Sequence, residues 1–190
     1  MTSDAFKRSL RAHQEKGFFK NLRILRGIER ESLRVTQEGN ISQTSHPKYL
    51  GSPLTSEDIT TDFAEALVEL VTPTFESAEE LFAHLSLLHK FLYSEMEEEI
   101  LWNFSMPCAF QSEQEIKIAE YGKTNSGMLK HIYRKGLRLR YGSIMQCVSG
   151  IHFNFSLSED SWDTLTNSPD QSFINQKYLG AIRNIKRNFW

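Results

Sequence analysis

Cysteine is almost missing from this chain. Its 190 residues include two, Cys108 and Cys147, with no C-x-x-C pair, which excludes a disulfide framework and a zinc knuckle and fits a reducing cytoplasm. Long apolar runs are missing as well: no stretch approaches about 18 uncharged apolar residues, the length a membrane-spanning helix needs. Met1 to Lys20 alternates charge with isolated apolar side chains where a signal peptide would need an apolar core. Neither export nor a membrane partner is expected. Nor is there an excess of either charge, with 22 Lys and Arg against 24 Asp and Glu for a formal net charge of -2, so composition gives no pull toward nucleic acid. What remains is ordinary for a folded protein, 39% hydrophobic and 24% charged, and long enough to bury one core. A single domain, or part of a larger one, is expected.

The most informative segment is Arg26-Gly27-Ile28-Glu29-Arg30-Glu31-Ser32-Leu33-Arg34-Val35. In a strand, alternate side chains share a face, so Glu29 and Glu31 project side by side about 7 Å apart. Two adjacent carboxylates repel unless positive charge lies between them. A hard cation such as Mg²⁺, which takes oxygen ligands, would relieve that repulsion. The alternative is an exposed face laced by Arg26, Arg30 and Arg34.

Around this strand, Asp4 to Phe19 reads as a surface helix ending near Gly17, and Gln37 to Asn40 as a turn. Ile59 to Pro73 embeds Asp62, Glu65 and Glu69 among apolar residues, with Leu67 to Val71 strand-like. Ser77-Ala78-Glu79-Glu80 makes a capping box, followed by a stripe of Leu81, Leu85, Leu88, Leu92 and Met96 facing the core. His84 and His89, five apart, do not share a face and read as rim residues. The acidic run Glu95, Glu97, Glu98 and Glu99 reads as a solvated helix end. A helix is predicted over Gly127 to Tyr141. The loop before it, Tyr121 to Gly127, fails as a P-loop because Lys117 stands where the first glycine is needed; an ordinary helix cap and an anion site at the helix start both stay open. The last helical pattern, Ser172 to Trp190, stops on Phe189-Trp190 without a polar tail and reads as interrupted.

Met145 to Leu157 alternates most cleanly and is predicted as one strand. Met145, Cys147, Ile151, Phe153, Phe155 and Leu157 form its core face; Gln146, Val148, Gly150, His152, Asn154 and Ser156 form the other. An amide, an imidazole and a second amide in line, beside a glycine that leaves room, suit the floor of a wet cavity. A structurally satisfied histidine is the bland alternative for His152.

At these residues the sequence resembles the bacterial glutamate–cysteine ligases. The matching blocks are GIERESLRV, HPKYLGSPLT, ITTDFAEALVELVTP, FSMPC, AEYGKTNSG and YRKGLRLRYGSIMQCVSGIHFNFSL, in family order and spacing through nearly the whole chain. The chain covers well under half of the family's usual length. The resemblance implies an α+β fold of glutamine synthetase type, a curved and mainly antiparallel sheet with flanking helices, and it makes residues 1–190 the N-terminal part of such a catalytic domain.

By the same resemblance, Glu29, Glu31, Asp62, Glu69 and His152 occupy metal-binding positions, with Glu29 and Glu31 central to catalysis. Phe63, Tyr133, Leu137 and Gln146 would shape a cysteine pocket, and Arg134 would contact phosphate. The implied reaction is ATP-dependent ligation of L-cysteine to the γ-carboxylate of L-glutamate through a γ-glutamyl phosphate, the first step of glutathione biosynthesis. Mg²⁺ is the implied metal; the imidazole ligand makes Mn²⁺ a ready substitute. A monomer is expected at full length. The alternative is a non-catalytic fragment that binds metal or nucleotide weakly.

Overall fold

The computed structural model describes residues 3–15, 17–96, 98–163 and 169–188. In chain order the elements are helices α1 (Ser3–Glu15) and α2 (Phe18–Asn21), strands β1 (Ile24–Thr36), β2 (Ile59–Thr61) and β3 (Leu67–Val71), helix α3 (Ala78–Ser94), strand β4 (Glu99–Trp102), helix α4 (Asn125–Tyr141), strand β5 (Ile151–Leu157), and helices α5 (Glu159–Asp163) and α6 (Gln171–Asn188). The chain divides into two compact units, Arg26–Asn154 and the two ends, Met1–Leu25 with Phe155–Trp190. No helix among the described residues is long and apolar enough to cross a membrane.

Within Arg26–Asn154 the strands form one sheet in the order β2-β3-β1-β4, every pair antiparallel, with β5 also pairing β1. The mixed helix and antiparallel-sheet architecture is the expected one. Even-numbered β3 residues Val68 and Leu70 face α3, whose Leu88 and Leu92 join them with Ile59, Met96 and Leu101 in one core cluster. The stripe read from the α3 sequence is therefore the buried one. Its cap also forms: Ser77 Oγ accepts the Glu80 N–H at 3.2 Å and donates to Glu79 Oε2 at 2.8 Å. On the opposite sheet face Leu33, Val35 and Leu67 pack with Phe63, Ile116, Ile118 and Cys147, and Leu137 of α4 rests on them. Since Glu29, Glu31 and Glu69 share parity with Leu33 and Leu67, this face is apolar along one half and acidic along the other.

Three readings change. Met145 to Leu157 is not one strand: Ile144–Cys147 is a 3₁₀ turn and β5 begins at Ile151. Cys147 is buried, but Ile151 and Phe153 are 64% and 60% exposed and Met145 is exposed too. Alternation fixes which residues share a face, whereas burial requires another element over that face, and the described residues of Arg26–Asn154 supply none. Phe155, in the other unit, is also exposed. The acidic run is only partly solvated. Glu99 lies in β4 opposite Thr36 and takes Arg34, whose side chain is 1% exposed, at 2.7 Å, so it is a structural partner of the core; Glu97 lies outside the described residues. Before α4, the ordinary cap is what forms: Thr124 Oγ1 accepts the Gly127 N–H at 3.1 Å.

In the second unit, α1 ends before Gly17, which adopts a left-handed φ of 75° at the start of α2. Arg23 and Ser158 share a backbone hydrogen bond of 3.0 Å, and the Trp162 and Tyr178 rings meet edge to face at 5.1 Å. The helix α6 forms as expected, with none of its described residues buried; Phe189 and Trp190 lie outside the described residues.

Candidate functional site

The acidic half of the sheet face is assembled by register. Antiparallel pairing sets Glu31 directly opposite Glu69 and Glu29 opposite Val71, and residues directly opposite in such a ladder present their side chains to the same face. On the other edge of β1, Glu31 N–H donates to the Gly150 carbonyl at 3.1 Å, and the Gly150 N–H returns to Glu31 Oε2 at 2.7 Å. Two residues further along β5, His152 Nδ1 donates to Glu29 Oε2 at 2.9 Å, and Asn154 Nδ2 donates to Glu29 Oε1 at 2.8 Å. Residue numbers rise along β5 as they fall along β1, so the two run antiparallel.

These contacts set the charges. Hydrogen bonds from Asn154 and then His152 outweigh burial and lower the Glu29 carboxyl below its usual range. The bond to Glu29, outweighing partial burial, raises His152. Glu69 goes the other way. Partial burial first, then the charges of Asp62, Glu31 and Glu29, push it up to about 7, with His152 pulling slightly downward. Burial is the larger cause, and the added repulsion from three carboxylates marks a place where carboxylates crowd.

Asp62, just past β2, completes the group. Its N–H donates to the Leu67 carbonyl at 3.0 Å, and its Oδ1 lies 3.9 Å from Arg134 Nη2 of α4. Arg134 Nε also donates to the Asp62 carbonyl oxygen. The five residues predicted as metal ligands therefore come to one half of one sheet face, from β1, β3, β5 and the turn after β2.

As arranged, Glu29 is turned to His152 and Asn154 and Glu31 to Gly150, and among the described residues no three His, Cys, Asp or Glu side chains converge closely enough to hold one ion together. The donor set nonetheless suits a hard divalent cation: four carboxylates and one imidazole, the carboxylates in mutual repulsion. Gly150 keeps the space between donors open, because a Cβ there would stand 3.0 Å from His152 Nε2 and 3.5 Å from Glu31 Oε2.

The other predicted site residues are more dispersed. Phe63 is 1% exposed and sits in the core cluster, so its ring presents no surface to an open pocket here. Tyr133 and Leu137 lie one turn apart on α4, Tyr133 exposed and Leu137 leaning on the core. Gln146 is half-buried in the 3₁₀ turn before β5. Sequence reasoning noted Asn154 without nominating it, although it shares parity with His152. It missed Tyr121, which nothing local in the sequence connects to Asp62.

The glutamate–cysteine ligase family description matches residues 8–190. The glutamate–cysteine ligase of Pseudomonas putida (strain W619) is 50% identical over 171 residues, 87% of this chain and 33% of that protein. That of Pseudomonas fluorescens (strain Pf0-1) is 49% identical, over 87% of this chain and 32% of that protein. Among solved structures, glutamate–cysteine ligase from Francisella tularensis in complex with AMP superposes with a TM-score of 0.73 at 45% identity, covering 76% of this chain and 29% of that one. A bifunctional glutathione synthetase from Pasteurella multocida superposes with a TM-score of 0.82 at 33% identity, covering 94% of this chain and 24% of that one. The chain thus spans about a third of the length of the curated relatives it matches.

Proposed function

Because the chain belongs to the glutamate–cysteine ligase family, we propose that its acidic sheet face forms part of a site that joins L-cysteine to the γ-carboxylate of L-glutamate, driven by ATP. The observation that carries this reading is Glu69 facing Glu31 across the ladder, with its carboxyl pushed up to about 7. Such crowding of carboxylates on one face costs stability and is hard to account for without a cation. The proposed setting is the cytoplasm, which supplies ATP, and the proposed state at full length is a monomer.

Amide formation from a carboxylate is uphill in water because its oxygen is a poor leaving group. In the proposed reaction a γ-carboxylate oxygen of glutamate attacks the γ-phosphorus of ATP and the bond to ADP breaks. Cysteine's amine nitrogen then attacks the resulting acyl phosphate, and phosphate departs with loss of the amine proton. Phosphoryl transfer asks the protein for position and charge compensation more than for covalent chemistry. Mg²⁺ or Mn²⁺, when bound, supplies that compensation at the phosphates. Glu29, Glu31, Asp62, Glu69 and His152 are the residues that would hold it. His152 and Asn154 hold Glu29 in one orientation, and the Gly150 amide does the same for Glu31. Phe63, Tyr133, Leu137 and Gln146 are the proposed walls of the cysteine pocket, and Arg134 brings a guanidinium to the same edge.

A second reading is favoured by coverage. Matching about a third of its relatives' length, the 190-residue chain by itself binds metal or nucleotide weakly and does not turn over. Both readings meet in one assay: glutamate- and cysteine-dependent ADP release by this chain alone and by this chain joined to the remaining two thirds of the Pseudomonas putida relative. Turnover is expected only in the joined protein, and Glu29→Gln there should lower it by about 100-fold. Absence of turnover in the joined protein would sink the enzyme reading, and full activity with Glu29→Gln would remove Glu29 from the proposed metal site.

A further inference from the structure

Glu29 and Glu31 are gripped by their carboxylate oxygens, but Asp62 is not. Among the described residues its carboxylate receives no side-chain or backbone hydrogen bond, only the 3.9 Å approach of Arg134, so its direction depends on how its backbone is held. That backbone is tied down from α4 and the segment before it. Tyr121, 4% exposed, places its Oη 2.7 Å from the Thr61 carbonyl and 2.9 Å from the Asp62 carbonyl, so its one O–H is shared between them. Arg134 Nε donates to the same Asp62 carbonyl, and its Nη1 donates to the Lys130 carbonyl at 3.1 Å. The guanidinium carbon also lies 4.7 Å from the centre of the Tyr121 ring, close enough for a cation–π contact. The clamp is thus itself braced, the ring fixing the guanidinium and both donors converging on one carbonyl oxygen.

We propose that Tyr121 and Arg134 are positioning residues that aim Asp62 into the metal site, with Arg134 acting on Asp62 and not chiefly on a phosphate. The proposal rests on the reading of Asp62 as a metal-holding residue. Partners that orient a metal-holding side chain commonly matter 10- to 100-fold in metal affinity.

The test uses Mn²⁺ alone, without nucleotide, titrated into the 190-residue chain while free Mn²⁺ is followed by electron paramagnetic resonance. Wild type is compared with Asp62→Asn, Tyr121→Phe and Arg134→Gln. Tyr121→Phe keeps the ring and so the stack; its unfolding midpoint should stay within a few degrees of wild type while Mn²⁺ affinity drops by about 10-fold. Arg134→Gln should drop it similarly. If Asp62→Asn weakens Mn²⁺ binding but Tyr121→Phe leaves it at the wild-type value, the clamp is refuted and the metal reading stands. If Arg134→Gln changes only the binding of ATP added afterwards, Arg134 is a phosphate contact and the proposal falls. If wild type and Asp62→Asn take up Mn²⁺ equally or not at all, the metal reading fails and takes this proposal with it.

Discussion

Replacing Glu69 with glutamine should stabilise the metal-free chain, and only at neutral to alkaline pH. The native carboxyl titrates near 7, above its ordinary 4.5, because of partial burial and the charges of Asp62, Glu31 and Glu29. Between those values the folded chain holds a proton that the unfolded chain releases, so this residue's favourable contribution is complete below 4.5 and is lost as pH rises through 7. The full gap corresponds to about 3.4 kcal/mol; Glu69 is only partly shielded from water, which reduces the expected figure to about 2 kcal/mol. Glutamine fills the same space and carries no charge. Urea unfolding in EDTA should find Glu69→Gln about 2 kcal/mol more stable than wild type at pH 8, or about 4–8 °C in melting temperature, with the gap closing to a few tenths at pH 5. His46 complicates either profile alone, since burial and then Arg34 lower it to about 4, so its stabilisation, present above 6.5, is lost as pH falls toward 4. Both proteins share that loss, and the difference between them isolates Glu69. A difference that does not change with pH, or none at pH 8, would refute the crowding argument.

Two further substitutions probe the frame that holds the site. Glu99→Ala leaves the buried Arg34 guanidinium without its carboxylate and should cost about 3–5 kcal/mol in urea unfolding, where a surface pair would cost under about 1; Arg34→Met with Glu99→Leu should recover much of it. Gly127→Ala would set a Cβ 2.3 Å from the Tyr121 carbonyl oxygen, so a loss of at least about 2 kcal/mol is expected by thermal melting, against the small gain that alanine normally brings to a helix.

What the sequence could reveal depended on whether the deciding partner was near or far. Strand parity alone put Glu29 and Glu31 on one face, and the α3 stripe and its serine cap were complete within 20 residues, so both were legible. His152 and Asn154 shared parity too, which is why the side of β5 that meets Glu29 was readable before any pairing was known. Glu99 was misread because a run of acids looks solvated unless one knows that β4 pairs with β1 and brings Arg34 to it. Cys147 satisfied a strand pattern by coincidence, since a 3₁₀ turn delivers it to the core. The exposure of Ile151 and Phe153 could not be read at all: alternation says which residues share a face, and only other segments say whether that face is covered. Tyr121 left no trace for the same reason, because its link to Asp62 spans 59 residues.

Glu29, Glu31, Asp62, Glu69 and His152 are proposed to hold a divalent cation together. The decisive measurement is equilibrium Mn²⁺ binding to the chain at pH 8, wild type against Glu31→Gln. Saturable binding to the wild-type chain is expected, with a loss of at least about 10-fold in affinity in the variant. Equal affinity in the two proteins, or no saturable binding to either, would contradict it.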